Sequence, residues 1–310
     1  MRIISDYQFV NDEDRGATAA IGNFDGVHLG HRSVIALAQE AAPDAPLGVV
    51  TFEPHPRSYF APDAPPFRLM SASARASRLA KVGVERLYQL PFNGALASLV
   101  PFDFAQAVLH EGLGLRHVVV GADFCFGKGR LGTAADLVEF GAQLGFGVTI
   151  APLLERSEAT VSSTAIRRAL SEARPRDAAA MLGHWHRIEG PVIGGEQRGR
   201  ELGYPTANMS IDGLHPPAFG VYAVLVDVLG GPHQGSYHGV ASMGVRPMFG
   251  ENKPNLETFV FDFKGDLYGT PLSVGLVEHL RGEEKFDSLD ALITQMDADS
   301  ARARAILSAL

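Results

Sequence analysis

The chain has 310 residues, 46% of them apolar, 20% charged and 8% aromatic, with a formal net charge of −8. That length suits two domains, and the apolar share supports sizeable cores, so global disorder is excluded. The acidic balance argues against a generally basic nucleic-acid coat, and a single cysteine excludes an intrachain disulfide framework or a multi-cysteine metal cage.

No stretch approaches the roughly 20 apolar residues that span a bilayer. The opening run Met1-Arg2-Ile3-Ile4-Ser5-Asp6 reaches an acid at once and lacks the apolar core of a secretory leader. The expectation is a cytoplasmic protein working on small molecules, without membrane or nucleic-acid partners. The sequence does not set the oligomeric state and is compatible with a monomer.

In the first half, short apolar runs at 18–21, 48–52, 85–90, 117–120 and 147–150 predict strands. Helical patterns fall between them at 30–40, 72–81, 102–111 and 134–144. Strands alternating with helices predict a parallel, Rossmann-like sheet covered on both faces. Further helices are expected at 163–171 and 176–182. From His184 the texture changes to Gly, β-branched and aromatic residues, with turn signals at Gly194-Gly195, Pro216-Pro217, Gly230-Gly231 and Lys264-Gly265-Asp266. Candidate strands at 187–193, 221–228, 235–243, 256–263 and 273–280 predict an antiparallel barrel. A closing helix starts near Ser288. The domains are therefore expected at 1–183 and 184–310.

Ile21-Gly22-Asn23-Phe24-Asp25-Gly26-Val27-His28-Leu29-Gly30-His31 leaves a strand and enters a helix. Gly22 and Gly26 let backbone approach a ligand, Gly30 leaves room for a nucleotide between the histidines, and amides at a helix start favour phosphate. His28 and His31, three apart, can donate to triphosphate oxygens as charge builds. Two histidines at that spacing also occur as surface or core residues or as a metal pair, but no third ligand has recognisable spacing. Ser162-Ser163-Thr164-Ala165-Ile166-Arg167 opens a second helix with hydroxyls, and Arg167 lies one turn in. That pattern fits either an ordinary cap or a phosphate site.

Two decoys are set aside. Gly127-Lys128-Gly129 lacks the spacing and the following hydroxyl of a Walker loop. Cys125 has no organising base, so it reads as a packing residue.

In the second half, Gly203-Tyr204-Pro205-Thr206-Ala207-Asn208 presents oxygen ligands two residues apart, on one side of an extended segment. Thr206 and Asn208 could meet a Mg²⁺–phosphate group, or form a local turn network. Glu257 sits amid apolar alternation, where a general base for a primary alcohol is plausible chemistry.

The first two motifs, with Phe52-Glu53-Pro54-His55-Pro56 and the run from Gly121 to Arg130, resemble the FAD synthetase module of bacterial bifunctional riboflavin kinase/FMN adenylyltransferases. The Pro-Thr-Ala-Asn run, the Glu257 strand, Asp266-Leu267-Tyr268-Gly269 and Leu280-Arg281-Gly282-Glu283-Glu284-Lys285-Phe286 resemble its riboflavin kinase module, whose fold is a six-stranded antiparallel barrel with a C-terminal helix. The resemblance implies that riboflavin and ATP give FMN and ADP, and that FMN and ATP then give FAD and pyrophosphate. It implies that Gly22, Asn23, Phe24, Asp25 and Gly26 shape the nucleotide loop and that His28 and His31 hold the triphosphate. Ser163, Thr164 and Arg167 would close over the same phosphates. His55, Asp123 and Phe126 would line the FMN side, with Phe126 against the flavin ring. Gly203 and Pro205 would set the bend, Thr206 and Asn208 would bind Mg²⁺ and ATP phosphate, Glu257 would act on the 5′-hydroxyl, and Arg281 would lie near the flavin-side flap. One departure is Gly244-Val245-Arg246-Pro247-Met248, where the family usually continues with Thr. Met248 leaves open a monofunctional adenylyltransferase with a flavin-binding barrel. A flavin-sensing regulator, and adenylyl or cytidylyl transfer to a different acceptor, also stay open.

Overall fold

A computed structural model describes residues 1–152, 155–156, 159–194, 204–248 and 251–310, with backbone alone at 155–156, 159–160, 246–248 and 251–253. It divides into two compact units, Met1–Ala64 with Arg75–Val161, and Pro65–Ala74 with Ser162–Leu310.

The first unit is built on strands β1 (Arg2–Ile4), β2 (Thr18–Ile21), β3 (Leu47–Glu53), β4 (Arg86–Pro91), β5 (His117–Gly121) and β6 (Gly147–Ala151). They form one sheet in the order β1-β4-β3-β2-β5-β6, and every pairing is parallel. β2 is buried along its whole length, as a central strand covered on both faces must be. Helices α1 (Leu29–Ala41), α2 (Pro56–Phe60), α3 (Ala72–Lys81) and α4 (Ala134–Leu144) accompany it. The core joins Ile21, Val50, Phe52, Leu90, Val118 and Val120 to Phe104, Leu109 and Leu137.

Two details depart from expectation. The edge strand β1 is three residues long with Ile3 exposed, so it leaves no apolar run to read. The helix expected at 102–111 is a short α-turn, Pro101–Asp103, running into a π-helix, Phe104–Gly112. The apolar pattern of a π segment this short does not distinguish it from an α-helix.

In the second unit, α5 (Ser163–Ser171) and α6 (Pro175–Leu182) precede β7 (His186–Pro191), β8 (Thr206–Ser210), β9 (Gly220–Val228), β10 (Gly235–Met248), β11 (Glu251–Val260), β12 (Pro271–Arg281) and α7 (Leu289–Leu307). The six strands form an antiparallel half-barrel in the order β7-β12-β9-β10-β11-β8. Ile193, just past β7, bridges Asn208 in β8, so the two edge strands meet. Alternation sorts the side chains. Met209, Tyr222, Val224, Met243 and Leu256 fill the inside. Ala223, Val240, Phe261 and Val277 face outward and pack against Ala303 and Leu307 of α7.

The change of texture near 183–186 falls where the first barrel strand begins. The compact units divide earlier, because α5 and α6 share a core with Leu69 through Ile166, Ala169, Leu170, Ala178 and Leu182.

Candidate active sites

In the first unit β2 is flanked by β3 on one side and β5 on the other, while the chain visits β3 and β4 before returning to β5. That reversal is the position where open parallel sheets bind ligands, beyond the carboxyl ends of their strands. The loops after Ile21, Glu53 and Gly121 all leave that edge, and they carry the expected Gly22–His31 loop, His55 and Asp123.

The Gly22 N–H still donates to the Val50 carbonyl (3.1 Å), and then the backbone turns sharply. Phe24, Gly26 and Val27 adopt φ of 50°, 90° and 44°. Glycine reaches that region freely; an aromatic and a β-branched residue do so at a cost of about 1–3 kcal/mol each and persist only where their surroundings fix them. The Asn23 carbonyl accepts from Thr51 Oγ1 (3.3 Å) and from the Arg75 guanidinium (3.2 Å).

His28 caps α1. Its Nδ1 accepts the His31 N–H (3.2 Å), which assigns the neutral ring's proton to Nε2. The His31 ring stacks on His28 at 3.6 Å between centroids and meets Phe24 at 5.1 Å. Burial, then the charge of His28, holds the His31 pKa well below 6.5. Gly30 lies against the His28 ring. A Cβ there would lie 3.2 Å from His28 Cε1 and Nδ1, so the space it leaves is taken by the His28 ring.

His55 caps α2, with Nδ1 accepting the Arg57 N–H (3.0 Å). Asp123 is exposed beyond β5. Phe126 is 6% exposed and packs between Phe104 (5.6 Å) and Phe124 (5.5 Å, stacked), inside the core. The half-buried Phe124 presents more surface than Phe126 does.

Ser163, Thr164 and Arg167 belong to the second unit. The hydroxyl that caps α5 is that of Ser162, accepting from the Ala165 N–H at 3.2 Å. Thr164 is exposed. Arg167 Nε donates to the Phe67 carbonyl (2.5 Å), with its guanidinium 5.4 Å from the Phe67 ring centroid.

The barrel holds a second constellation. Thr206 starts β8, and the antiparallel register sets Asn208 opposite Glu257 and Ser210 opposite Asn255. Partners on one rung share a face, as do residues two apart along a strand. Asn208, Asn255 and Glu257 therefore converge. The Asn255 side-chain amide donates to Asn208 Oδ1 (3.3 Å) and to Glu257 Oε1 (3.4 Å). Asn255 is 4% exposed, a buried polar group held by a polar cluster. Sequence reasoning missed it, although Asn255-Leu256-Glu257 carries the alternation that would have found it. Pro205 is exposed just before β8, while Gly203 lies outside the described residues. Arg281 grips Asp299 of α7 through Nε (3.0 Å) and Nη2 (2.9 Å), anchoring the closing helix.

A magnesium ion fits this donor set. The Thr206 hydroxyl, the Asn208 carbonyl and one carboxylate are hard oxygen ligands, and Mg²⁺ typically completes its shell with water and phosphate. Among the described residues no group of three or more His, Cys, Asp or Glu side chains forms an all-protein cage.

Comparison with known proteins follows the same division. The FAD synthetase family model matches residues 10–165 and the riboflavin kinase model residues 182–307. The bifunctional riboflavin kinase/FMN adenylyltransferase of Pseudomonas fluorescens is 42% identical over 309 residues, covering 99% of this chain and 98% of that one. The enzyme of the same name from Escherichia coli K12 is 37% identical, covering 93% and 92%, and that of Bacillus subtilis 34% identical, covering 98% and 96%. A crystal structure of a macrolide-efflux protein from Streptococcus pneumoniae matches with a TM-score of 0.83 and 32% identity over 98% of either chain. No helix among the described residues is long and apolar enough to cross a membrane. With both family models in order and relatives this similar along nearly their whole length, the chain belongs to the bifunctional riboflavin kinase/FMN adenylyltransferase family.

Proposed function

We infer that the enzyme's two activities use two separate sets of residues: the barrel cluster for riboflavin phosphorylation and the His28/His31 loop for AMP transfer to FMN. The observation that carries this is the pairing of Asn208 with Glu257 across one rung, tied by Asn255. It leaves the kinase cluster complete, whereas a monofunctional adenylyltransferase has Met248 alone in its favour. The functional boundary is assigned near 183/184.

In the first reaction Glu257 accepts the proton of the riboflavin 5′-hydroxyl. The freed oxygen attacks the γ-phosphorus in line, the bond to the β-phosphate oxygen breaks, and ADP leaves. Asn255 holds one oxygen of Glu257 and orients Asn208. Thr206 and Asn208 would hold Mg²⁺, which neutralises phosphate charge when bound. Pro205 and Gly203 shape the approach to Thr206, and Arg281 supports the flap through α7.

In the second reaction an FMN phosphate oxygen attacks the α-phosphorus of ATP, and the α–β bridging bond breaks to release pyrophosphate. No protein nucleophile is needed, so catalysis is positioning and charge stabilisation. His28 offers Nε2–H, because its Nδ1 is occupied by the His31 amide. Asn23, Asp25 and the flanking glycines shape the loop. Ser163, Thr164 and Arg167 are assigned to nucleotide phosphate, and His55 and Asp123 to the FMN side. Phe124 is the better-exposed ring for flavin contact than Phe126. A chain that consumes ATP in both steps is assigned to the cytoplasm.

Chromatography of products formed from riboflavin, ATP and Mg²⁺ tests this reading. FMN is expected first and FAD second. FAD from supplied FMN, with nothing formed from riboflavin, would return the monofunctional reading.

A further inference from the structure

Arg75 is 1% exposed, on α3, and its guanidinium reaches three elements of the first unit. One Nη donates to the Asn23 carbonyl (3.2 Å); the other donates to Glu53 Oε2 (3.0 Å) and Gln89 Oε1 (3.2 Å). Asn23 begins the nucleotide loop, Glu53 ends β3 one residue before Pro54-His55, and Gln89 lies in β4. A buried guanidinium is costly to desolvate, and an apolar side chain of similar volume would pack as well. What Arg75 adds is a rigid, planar set of donors that fixes separate backbone segments relative to one another. The loop it holds is the one in which Phe24 and Val27 carry left-handed backbone, a conformation that depends on its surroundings.

We propose that Arg75 is a positioning residue for AMP transfer, acting through the Asn23 carbonyl on the loop that aims His28 and His31. This rests on the assignment of that loop to AMP transfer. Arg75 touches no reacting atom. It sets the loop's path, and Thr51 supports the same carbonyl from β3.

The full chain is compared with its Arg75→Met, Arg75→Lys and His28→Ala variants. Both activities are measured, and nucleotide-binding sites in the first unit are counted by calorimetry, without FMN, using an ATP analogue with a methylene group in place of the α–β bridging oxygen, after the kinase site is saturated with ADP and riboflavin. Arg75→Met is expected to lower the kcat of FAD formation per binding site by about 10- to 100-fold, the size of effect that a misplaced reacting geometry produces. Arg75→Lys, which keeps the charge but not the fork, is expected to fall between wild type and Arg75→Met. Riboflavin phosphorylation stays within about twofold in both, the range expected of a site with no shared partners. A purely structural role would lower the number of binding sites and leave kcat per site unchanged, and that result overturns the proposal. Parallel loss of both activities overturns it too. Should Arg75→Met fail to fold, Arg75→Lys decides by the same criterion. If His28→Ala still makes FAD, the loop assignment itself fails. If His28→Ala is inactive while both Arg75 variants match wild type, only the role of Arg75 fails.

Discussion

The imidazole rings of His28 and His31 lie face to face, 3.6 Å apart between centroids and 16° from parallel. Two cations at that separation repel, and the half-buried His31 is desolvated besides, so its pKa is held well below the ordinary 6.5. The stack is also where a triphosphate would place negative charge. Neutral His31 at pH 6 is therefore expected by nitrogen NMR of the ring in free protein, with ATP raising its pKa. A His31 that titrates near 6.5 without nucleotide contradicts this arrangement.

Gly30 is constrained by its neighbour's ring. A methyl group at that position would lie 3.2 Å from two atoms of the His28 imidazole, tight enough that the ring must shift. Gly30→Ala is expected to cut FAD formation by about tenfold while leaving riboflavin phosphorylation untouched. Steady-state assays of both reactions on one preparation check this.

In the barrel, Asn255 is the side chain between Asn208 and Glu257. Asn255→Ala removes a buried donor and leaves two acceptors without it, worth roughly 1–3 kcal/mol. Expressed wholly in the transition state, that is a loss of about 5- to 160-fold in riboflavin phosphorylation. Asn255→Asp sets a second carboxylate beside Glu257 and is expected to be worse. Conversion of supplied FMN to FAD should be unchanged in both.

How much of the molecule is legible in its sequence depends on range. Strands β2, β3 and β5 are buried along most of their length, and their apolar runs stand out along the chain. The helices at Ala72–Lys81 and Ala134–Leu144 follow from period and capping. The loop at His28 and the Thr206/Asn208 spacing stand out as candidate phosphate sites because their residues are adjacent in sequence. The pairing of Asn208 with Glu257 is not, since it needs a register between strands about fifty residues apart. Arg75 gives no local signal, because its partner Asn23 lies 52 positions away. Phe126 has the right residue type and neighbourhood, yet packing against Phe104 takes its ring into the core.

His186 makes the second unit sensitive to acid. It is fully buried, donates through Nε2 to the Leu69 carbonyl (3.0 Å), and has no partner for Nδ1 among the described residues. Burial pushes its pKa down from 6.5 to about 4, against the upward pull of the Leu69 carbonyl. The unfolded chain takes up this proton near pH 6.5 and the folded chain only near 4, so stability is full above 6.5 and is lost as the pH falls through that window. The loss reaches about 3 kcal/mol at the acid end. Denaturant unfolding at pH 7 and pH 4.5 should show the loss in wild type and a smaller one in His186→Gln.

Two catalytic sites that work independently in one chain are the central claim. The direct measurement gives riboflavin, ATP and Mg²⁺ to His28→Ala and to Glu257→Gln and separates the products. FMN should accumulate without FAD in the first; the second should make neither from riboflavin, yet turn added FMN into FAD. Loss of both activities in both variants would contradict it.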